Sequence, residues 1–395
     1  QKVTTPVSYG SLDMWTILLV VLGSIIQLLP IVFTGIIRPD GGMGTCCGNA
    51  NDSLWFTAIT GEIIRHFPPD QPGVVGLVLT NYHYWSNLIV AELARIFYLP
   101  HFLLQNTYLP LVYAYVAGGL LIGMADVYEM SARFRKLLLY LFYFGSDMIP
   151  IVSLILGRGW NFSMSSLEDG AGLYTNYPRA VATIVLFGVL ILIRFLRDKI
   201  GILDVLVVLL TASLAGIKVY YGIIASIGFV SIALYRFFRY RETIWIVRTL
   251  ALAALEASIY FPVNRDAGGL YFTGLWRFRD FIVHPLLGTE HFELARTIYA
   301  ADRKWYITGL YDAMFAALYM VSIFGVKLCA LPGMLVKNKS IPIEVHLMLI
   351  PGMIVSLVIG LFFQQTTGGS NTFNFLAVWF ILASWYVALF FDRML

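Results

Sequence analysis

The residues best suited to chemistry lie in a polar stretch, residues 38–107, that follows the first long apolar run of the chain. It carries two carboxylates, Asp40 and Asp52, and the aromatic run Asn81-Tyr82-His83-Tyr84-Trp85. A carboxylate can act as a general base toward a hydroxyl group, and histidine and tyrosine can hydrogen bond to polar groups of a substrate. A chain does not need a long acidic, histidine-bearing segment merely to cross a bilayer. We therefore expect the functional site in this stretch.

Each carboxylate also has a simpler structural interpretation. Asp52 precedes an apolar-periodic segment, residues 54–64, so it can cap the N-terminus of a helix. Asp40 lies between Pro39 and a Gly-Gly pair, where aspartate often serves as a plain turn residue. We predict Asp52 as the catalytic carboxylate and Asp40 as the second candidate, with the cap and the turn as their alternatives.

Three basic residues are candidates for binding an anion. Lys218 is a lone charge between two apolar runs, and it can bind a phosphate group by charge-assisted hydrogen bonds. Its alternative role is an interface anchor whose stem lies along apolar surface. Arg265 and Arg277 belong to a second polar stretch, residues 263–308, and a guanidinium can grip a phosphate bidentately. Salt bridging within that stretch is their alternative role.

Four aromatic residues are expected to line the substrate site. His83 lies between Tyr82 and Tyr84 at the start of a short amphipathic segment, and Tyr220 follows Lys218 by two residues. These side chains can donate hydrogen bonds to polar groups of a ligand. They can equally form a belt of amphipathic residues at the level of the lipid headgroups, where such rings are enriched.

Composition shows which class of protein must hold these residues. The chain has 395 residues, of which 59% are hydrophobic and 13% are charged, whereas soluble domains have about one quarter charged residues. This indicates an all-α polytopic membrane protein. The net charge of +4 comes from short basic clusters between apolar runs, which indicates membrane topology and argues against nucleic-acid binding. The sequence has no Gly-rich phosphate loop and no HExxH or GxSxG motif, so nucleotide hydrolysis and zinc proteolysis have no support.

Ten apolar runs are each close to the about 20 residues that cross a bilayer. They are residues 14–37, 108–127, 137–157, 178–196, 202–217, 218–235, 243–262, 309–328, 344–363 and 372–391. The segment 85–99 is shorter and carries Glu92 and Arg95. If it does not cross, all compact basic clusters fall on the side of the N-terminus, which the positive-inside rule makes cytoplasmic. We therefore predict one transmembrane domain, residues 1–395, with about ten spans, both termini cytoplasmic, and extracytoplasmic loops that carry short helices.

Several short motifs together resemble the GT-C superfamily of glycosyltransferases, in particular its bacterial polytopic members. In the first loop, Asp52 is followed by Arg65-His66-Phe67-Pro68-Pro69 and then by the aromatic run at 81–85. Further motifs are Asn176-Tyr177-Pro178-Arg179 and Gly216-Ile217-Lys218-Val219-Tyr220-Tyr221-Gly222. The resemblance covers roughly residues 14–240. It departs after Asp52, where many relatives have a second acid or a histidine and this chain has Ser53-Leu54-Trp55-Phe56.

The resemblance implies a membrane enzyme that moves a sugar from a polyprenyl-phosphate donor to an acceptor on the extracytoplasmic face. In such enzymes an acid of the first outer loop acts as the base or anchors a metal or the acceptor, and Asp52 matches that position. The implied partners are the lipid donor, membrane lipids and other membrane proteins. The implied location is a bacterial inner membrane. A divalent cation is an open alternative to a site without cofactor, and the metal ligands are not identified.

Two other functions remain open. A secondary transporter would use Asp147 or Glu256, acids within apolar runs, to couple protons or sodium, although no internal repeat is apparent. A non-catalytic subunit or scaffold of a membrane complex would explain the missing second acid after Asp52.

Overall fold

The computed structural model describes residues 13–31, 36–37, 39–44, 50–145, 148–155, 157, 173, 176–264, 268–282, 290–366 and 370–394. Most of these residues are helical, and the strands form three two-stranded sheets, β1–β2, β3–β4 and β5–β6. The strands are β1 (Ile36–Ile37), β2 (Met43–Gly44), β3 (Asp70–Gln71), β4 (Val74–Val78), β5 (Leu270–Phe272) and β6 (Phe363–Gln365). All three pairings are antiparallel.

The helices are numbered in chain order. The first part of the chain forms α1 (Met14–Leu28), α2 (Ala50–Arg65), α3 (Trp85–Phe97), α4 (His101–Leu103), α5 (Leu109–Val127), α6 (Ala132–Tyr143), α7 (Ile149–Ile155) and α8 (Tyr177–Ile193). The remainder forms α9 (Ile202–Ile217), α10 (Val219–Tyr240), α11 (Ile244–Tyr260), α12 (Trp276–Ile282), α13 (Glu290–Ala301), α14 (Trp305–Tyr319), α15 (Ala330–Gly333), α16 (Ile343–Phe362) and α17 (Phe373–Met394).

The described part of the chain contains five helices that are long and apolar enough to cross a membrane. They are His101–Val127, which joins α4 to α5 through a π-helical turn, Val219–Tyr240, Trp305–Gly333, Ile343–Phe362 and Phe373–Met394. Three shorter apolar helices, α1, α8 and α9, have 15 to 17 residues. These helices agree with an all-α membrane protein. The run at 137–157, by contrast, is not one helix, because α6 ends at Tyr143 and α7 begins at Ile149.

The chain forms two compact units. The first comprises Gln1–Tyr143, Leu173–Ala267 and Lys337–Gly352, and the second comprises Phe144–Gly172, Gly268–Val336 and Met353–Leu395. In the first unit α5 packs against α1 and α8, and α9 packs against α8, α10 and α11. This arrangement brings the start of α8, the end of α9 and the start of α10 into one region. The site described below lies there.

The described part of the polar stretch at 38–107 is folded rather than extended. Helices α2 and α3 pack together over a small core, and the β3–β4 hairpin lies between them in sequence. This core consists of the buried residues Ile59, Ile63, Leu79, Tyr84 and Ala91. Helix α3 has 13 residues, fewer than the about 20 that cross a bilayer. The stretch therefore forms a platform from which its polar residues can be positioned.

A buried polar network fixes α2 in that platform. Ser53 Oγ donates to Asn106 Oδ1 at 2.7 Å, and Thr60 Oγ1 donates to Gln105 Oε1 at 3.0 Å. Asn87 of α3 donates to Thr60 Oγ1 at 3.0 Å. Buried polar groups are costly unless they are paired, so this network strongly favours one placement of α2 against α3 and the π-helical turn Leu104–Tyr108.

The second unit has its own buried core. Helix α17 is buried along most of its length, from Asn374 to Leu389. Lys327 is completely buried there, and its Nζ donates to the carbonyl oxygen of Phe380 at 2.8 Å. On α13 and α14, Arg296 Nε donates to Asp312 Oδ1 at 2.6 Å. These pairs satisfy buried or partly buried charges, and we treat them as structural.

Candidate functional site

Asp52 lies in the first turn of α2, which begins at Ala50, so the cap that we considered for Asp52 does not form at that residue. A carboxylate in the first turn is favoured by the positive end of the helix dipole. The side chain is exposed, and its Oδ2 accepts a hydrogen bond from Asn176 Nδ2 at 3.0 Å. Asn176 directly precedes α8, so this bond ties the start of α2 to the start of α8.

Lys218 is the single residue between α9 and α10. Its backbone is extended, with φ −157° and ψ 100°, and its N–H closes the last turn of α9 by donating to the carbonyl oxygen of Leu214 at 2.8 Å. The residue is only 4% exposed, and Nζ lies 5.5 Å from the centroid of the Tyr220 ring. The cation is therefore held at the meeting point of two helices and is screened from solvent.

Two glycines permit this tight connection. A Cβ at Gly216 would lie 2.5 Å from Cδ2 of the Trp85 indole, so the ring occupies the space that a side chain would need. A Cβ at Gly222 would lie 3.1 Å from the backbone of Ala215. Glycine at 216 lets α3 approach the end of α9, and glycine at 222 lets α9 and α10 approach each other.

Arg179 adds a second buried cation that we did not assign from the sequence. It lies in the first turn of α8 and is 2% exposed. The Asp52 carboxylate interacts electrostatically with both Arg179 and Lys218. The sequence contains one feature that could have identified Arg179: it lies at the start of an apolar run. An arginine at such a position is costly to bury unless it is paired or functional.

The electrostatic environment makes Lys218 easy to deprotonate. Burial is the main cause and the positive charge of Arg179 the second, and together they lower the pKa of Lys218 to about 7, although Asp52 acts in the opposite direction. Two cations close together in a poorly solvated site repel each other. An anion bound between them would remove that repulsion, so the arrangement is suited to a phosphate group.

His83 and Tyr82 lie beside this pair of cations. Their rings stack with centroids 4.8 Å apart and planes 10° apart, and the Tyr82 ring also contacts Trp55 edge-on at 5.8 Å. Burial, and after it the charge of Lys218, lowers the pKa of His83 well below its usual value, so the imidazole is neutral. Its Nε2 is buried with no hydrogen-bond partner among the described residues. Its hydrogen-bonding capacity is therefore unused within the described structure.

The other two predicted aromatic residues occupy different surroundings. Tyr84 is buried in the core between α2 and α3, where its ring contacts Phe67 at a centroid distance of 6.0 Å. Tyr220 is 6% exposed and lies beneath the Lys218 ammonium. The geometry thus places Tyr220 within the site, whereas Tyr84 packs in the α2–α3 core.

Three further charged residues were predicted for the site, and only two of them are described by the structure. Asp40 is exposed in the turn between β1 and β2, and its Oδ1 accepts from the N–H of Gly42 at 2.9 Å, as a turn aspartate does. Arg265 lies outside the described residues. Arg277 belongs to the second unit and is paired with Asp280 at 2.8 Å.

Metal binding has no cluster to support it within the part of the chain that the structure describes. No three His, Cys, Asp or Glu side chains come together there as a ligand set. Asp147, which we considered for ion coupling, lies outside that part.

An apolar groove runs along α10 and α11 from Val219, the residue that follows Lys218. Its volume is about 610 Å³. Residues from the end of α9 and the start of α10 form one end of its lining, and α11 contributes the opposite wall; these residues include Ala215, Val219, Gly222, Ser226, Glu256 and Tyr260. The groove is suited to an apolar chain, and two of its lining residues, Ala215 and Val219, lie close to Lys218 in sequence.

Comparison of the chain with models of known protein families, with curated proteins and with solved structures gives no match. The function of this chain therefore has to be inferred from its own residues.

Proposed function

We propose that the protein is an integral-membrane glycosyltransferase that moves a sugar from a polyprenyl-phosphate donor to a hydroxyl acceptor. One observation carries the proposal: the exposed carboxylate of Asp52 interacts with two buried cations, Lys218 and Arg179. An exposed carboxylate can take a proton from an acceptor, and buried cations can bind a phosphate. Glycosyl transfer from a lipid phosphate needs both groups close together.

The reaction would proceed by direct displacement with inversion. Asp52 accepts the proton of the acceptor hydroxyl while that oxygen bonds to the anomeric carbon of the sugar. The bond between the anomeric carbon and the phosphate oxygen breaks, and its electron pair leaves with the phosphate. Lys218 and Arg179 stabilise the negative charge that develops there. A phosphate leaves readily as an anion, so no general acid is required.

The donor would bind across the cationic site and the groove. Its phosphate lies between the two cations, and the polyprenyl chain follows the apolar groove along α10 and α11, which starts at Val219 beside Lys218. His83 supports this placement, because its unpartnered Nε2 can hydrogen bond to a sugar hydroxyl or to the phosphate.

We place the site on the extracytoplasmic face of a bacterial inner membrane, in a chain of about ten spans with cytoplasmic termini. The support is the distribution of basic residues: the clusters around Arg133, Arg194, Arg236 and Lys337 all lie on one side if α3 does not cross.

The experiment that tests this function is a transfer assay in proteoliposomes. Purified protein is supplied with a panel of isoprenyl-phosphate sugars and with membrane extract as acceptor, and sugar release from the donor is measured for wild type and Asp52→Asn. Turnover by wild type that the variant lacks supports the enzyme. If neither protein turns over any donor of the panel, the proposal fails, and a scaffold role becomes the better interpretation.

One observation favours a second candidate, an ion-coupled transporter. Glu256 is a carboxyl group within the apolar groove, where Ser226 Oγ donates to its Oε2 at 2.5 Å. Intramembrane acids often carry protons or ions. Uptake driven by a proton or sodium gradient, abolished by Glu256→Gln and retained by Asp52→Asn, would identify the transporter instead.

A further inference from the structure

A small polar cavity lies at the end of α9 opposite to Lys218. Its volume is about 130 Å³, and its lining comes from the end of α8, the segment after it, α10, α11 and the start of α16. Four arginines contribute to this lining: Arg194, Arg197, Arg236 and Arg248. Helix α9 separates the cavity from Lys218, because Asp204 in its first turn and Lys218 at its end are about 21 Å apart at 1.5 Å per residue.

Two of the four arginines are fixed by acids. Arg248 is 3% exposed, its Nε donates to Asp204 Oδ1 at 2.5 Å, and its Nη2 donates to the carbonyl oxygen of Arg197 at 2.5 Å. Arg236 pairs with Glu242 at 3.2 Å and also with Glu344. These bonds hold the guanidinium groups in place before any ligand arrives.

The other two arginines are not neutralised in this way. No acidic side chain forms an ion pair with Arg194 or Arg197 among the residues that the structure describes. Counted with Asp204 and Glu242, the four arginines are matched by four carboxylates, so the region carries no net charge. Arg194 and Arg197 differ from the other two in that neither guanidinium is held in an ion pair within the described structure.

We propose that this cavity binds a phosphate-type anion. Guanidinium groups bind phosphate oxygens bidentately, and arginines fixed by neighbouring acids lose little freedom when they do so. The volume has room for about four water molecules, which is the scale of one tetrahedral oxyanion. Basic pockets between the helices of membrane proteins take up the headgroups of acidic lipids. The ligand is therefore either such a headgroup or a free phosphate, and the proposal does not depend on glycosyl transfer.

The test is thermal unfolding of the whole protein in nanodiscs, followed by tryptophan fluorescence. Three conditions are compared: phosphatidylcholine alone, phosphatidylcholine with phosphatidylglycerol, and phosphatidylcholine with inorganic phosphate. A ligand that binds only the folded state raises the unfolding midpoint. The variant Arg194→Gln/Arg197→Gln removes the two arginines that no ion pair holds. The matched control, Arg239→Gln/Arg241→Gln, removes the same charge from exposed positions at the end of α10.

We expect the midpoint of wild type and of the control to rise by several degrees in one of the two anionic conditions, and the cavity variant to lose that rise. A rise with phosphatidylglycerol alone identifies a lipid headgroup, and a rise with inorganic phosphate identifies a free anion. No rise in either condition, or an equal loss in both double variants, would overturn the proposal. If the double variant does not fold, the single variant Arg197→Gln, at an exposed position, replaces it under the same criteria.

Discussion

The indole of Trp85 lies against the backbone of Gly216, so closely that a Cβ at Gly216 would be 2.5 Å from Cδ2 and 2.8 Å from Cε2 of the ring. Trp85 opens α3, and Gly216 lies in the last turn of α9, two residues before Lys218. The folded polar stretch that carries His83 is thereby packed directly against the element that carries the buried lysine.

Replacing Gly216 with alanine should destabilise the protein. The new methyl group overlaps the Trp85 ring, so either α3 or the end of α9 has to move, and overpacking of this kind costs about 1–3 kcal/mol. We expect a lower thermal unfolding midpoint in detergent and weaker anion binding at Lys218. Gly188→Ala is the matched control, because nothing lies within 4 Å of a Cβ at that position of α8. An equal or higher midpoint for Gly216→Ala would show that this contact is not tight in solution.

Replacing Asp52 with asparagine should lower sugar transfer by about 100-fold or more, since a general base contributes that much to such a step. Asparagine keeps the size of the side chain and can still pair with Asn176, so the unfolding midpoint should not change. Glu62→Gln, which removes a carboxylate from the same helix, is the control and should retain wild-type turnover. Asp40→Asn tests the second carboxylate predicted from the sequence. Loss of transfer in Asp40→Asn, with full activity in Asp52→Asn, would reassign the base to Asp40.

Binding of an isoprenyl phosphodiester should weaken as pH rises above neutrality. The pKa of Lys218 is lowered to about 7, so Lys218 is a cation below that pH and becomes neutral above it. A phosphodiester does not titrate in this range, His83 is already neutral, and Arg179 remains charged. We expect the Kd, measured by calorimetry between pH 6 and 9, to rise by up to about tenfold per pH unit. Lys218→Arg should flatten this profile because a guanidinium stays protonated. A profile for Lys218→Arg as steep as that of wild type would assign the titration to another group.

Replacing Arg248 with methionine should strongly destabilise the first unit. The substitution leaves Asp204 buried without its cation, and breaking a buried ion pair in this way costs about 3–5 kcal/mol. Arg241→Met, at an exposed position, should stay within about 0.5 kcal/mol of wild type. The double variant Asp204→Asn/Arg248→Met should recover part of the loss, because no uncompensated charge remains. If Arg248→Met unfolds at the wild-type midpoint, the pair contributes nothing to stability.

Several predicted apolar runs coincide with helices, but five helices of the described part are long enough to span, and the ten predicted spans are not confirmed. Apolar runs at 178–196 and 202–217 correspond closely to α8 and α9, because hydropathy reports burial in lipid or protein directly. The run at 137–157 was expected to be continuous. It contains Gly145 at φ +72°, a conformation that ends a helix and that glycine adopts readily. Hydropathy averages over such a residue and does not register it.

The candidate site was only partly accessible to the same reasoning. The sequence predicts Asp52, His83 and Lys218 as site residues because they are polar and lie near apolar runs. In the structure the three residues form one electrostatic cluster. Arg179 was not selected, because its importance depends on α8 starting beside α2. Tyr84 was selected by its neighbours in sequence, but its burial against Phe67 follows from the packing of α2 on α3.

A single extended residue connects α9 to α10, and this has a kinetic consequence. Because Lys218 is the single residue between two helices, its own connection has no loop that could close over an incoming anion or open to release it. The conformational entropy of the Lys218 side chain is lost when the chain folds and not when a ligand binds. Ligands of different affinity for this site should therefore differ in how fast they dissociate, while their association rates stay alike.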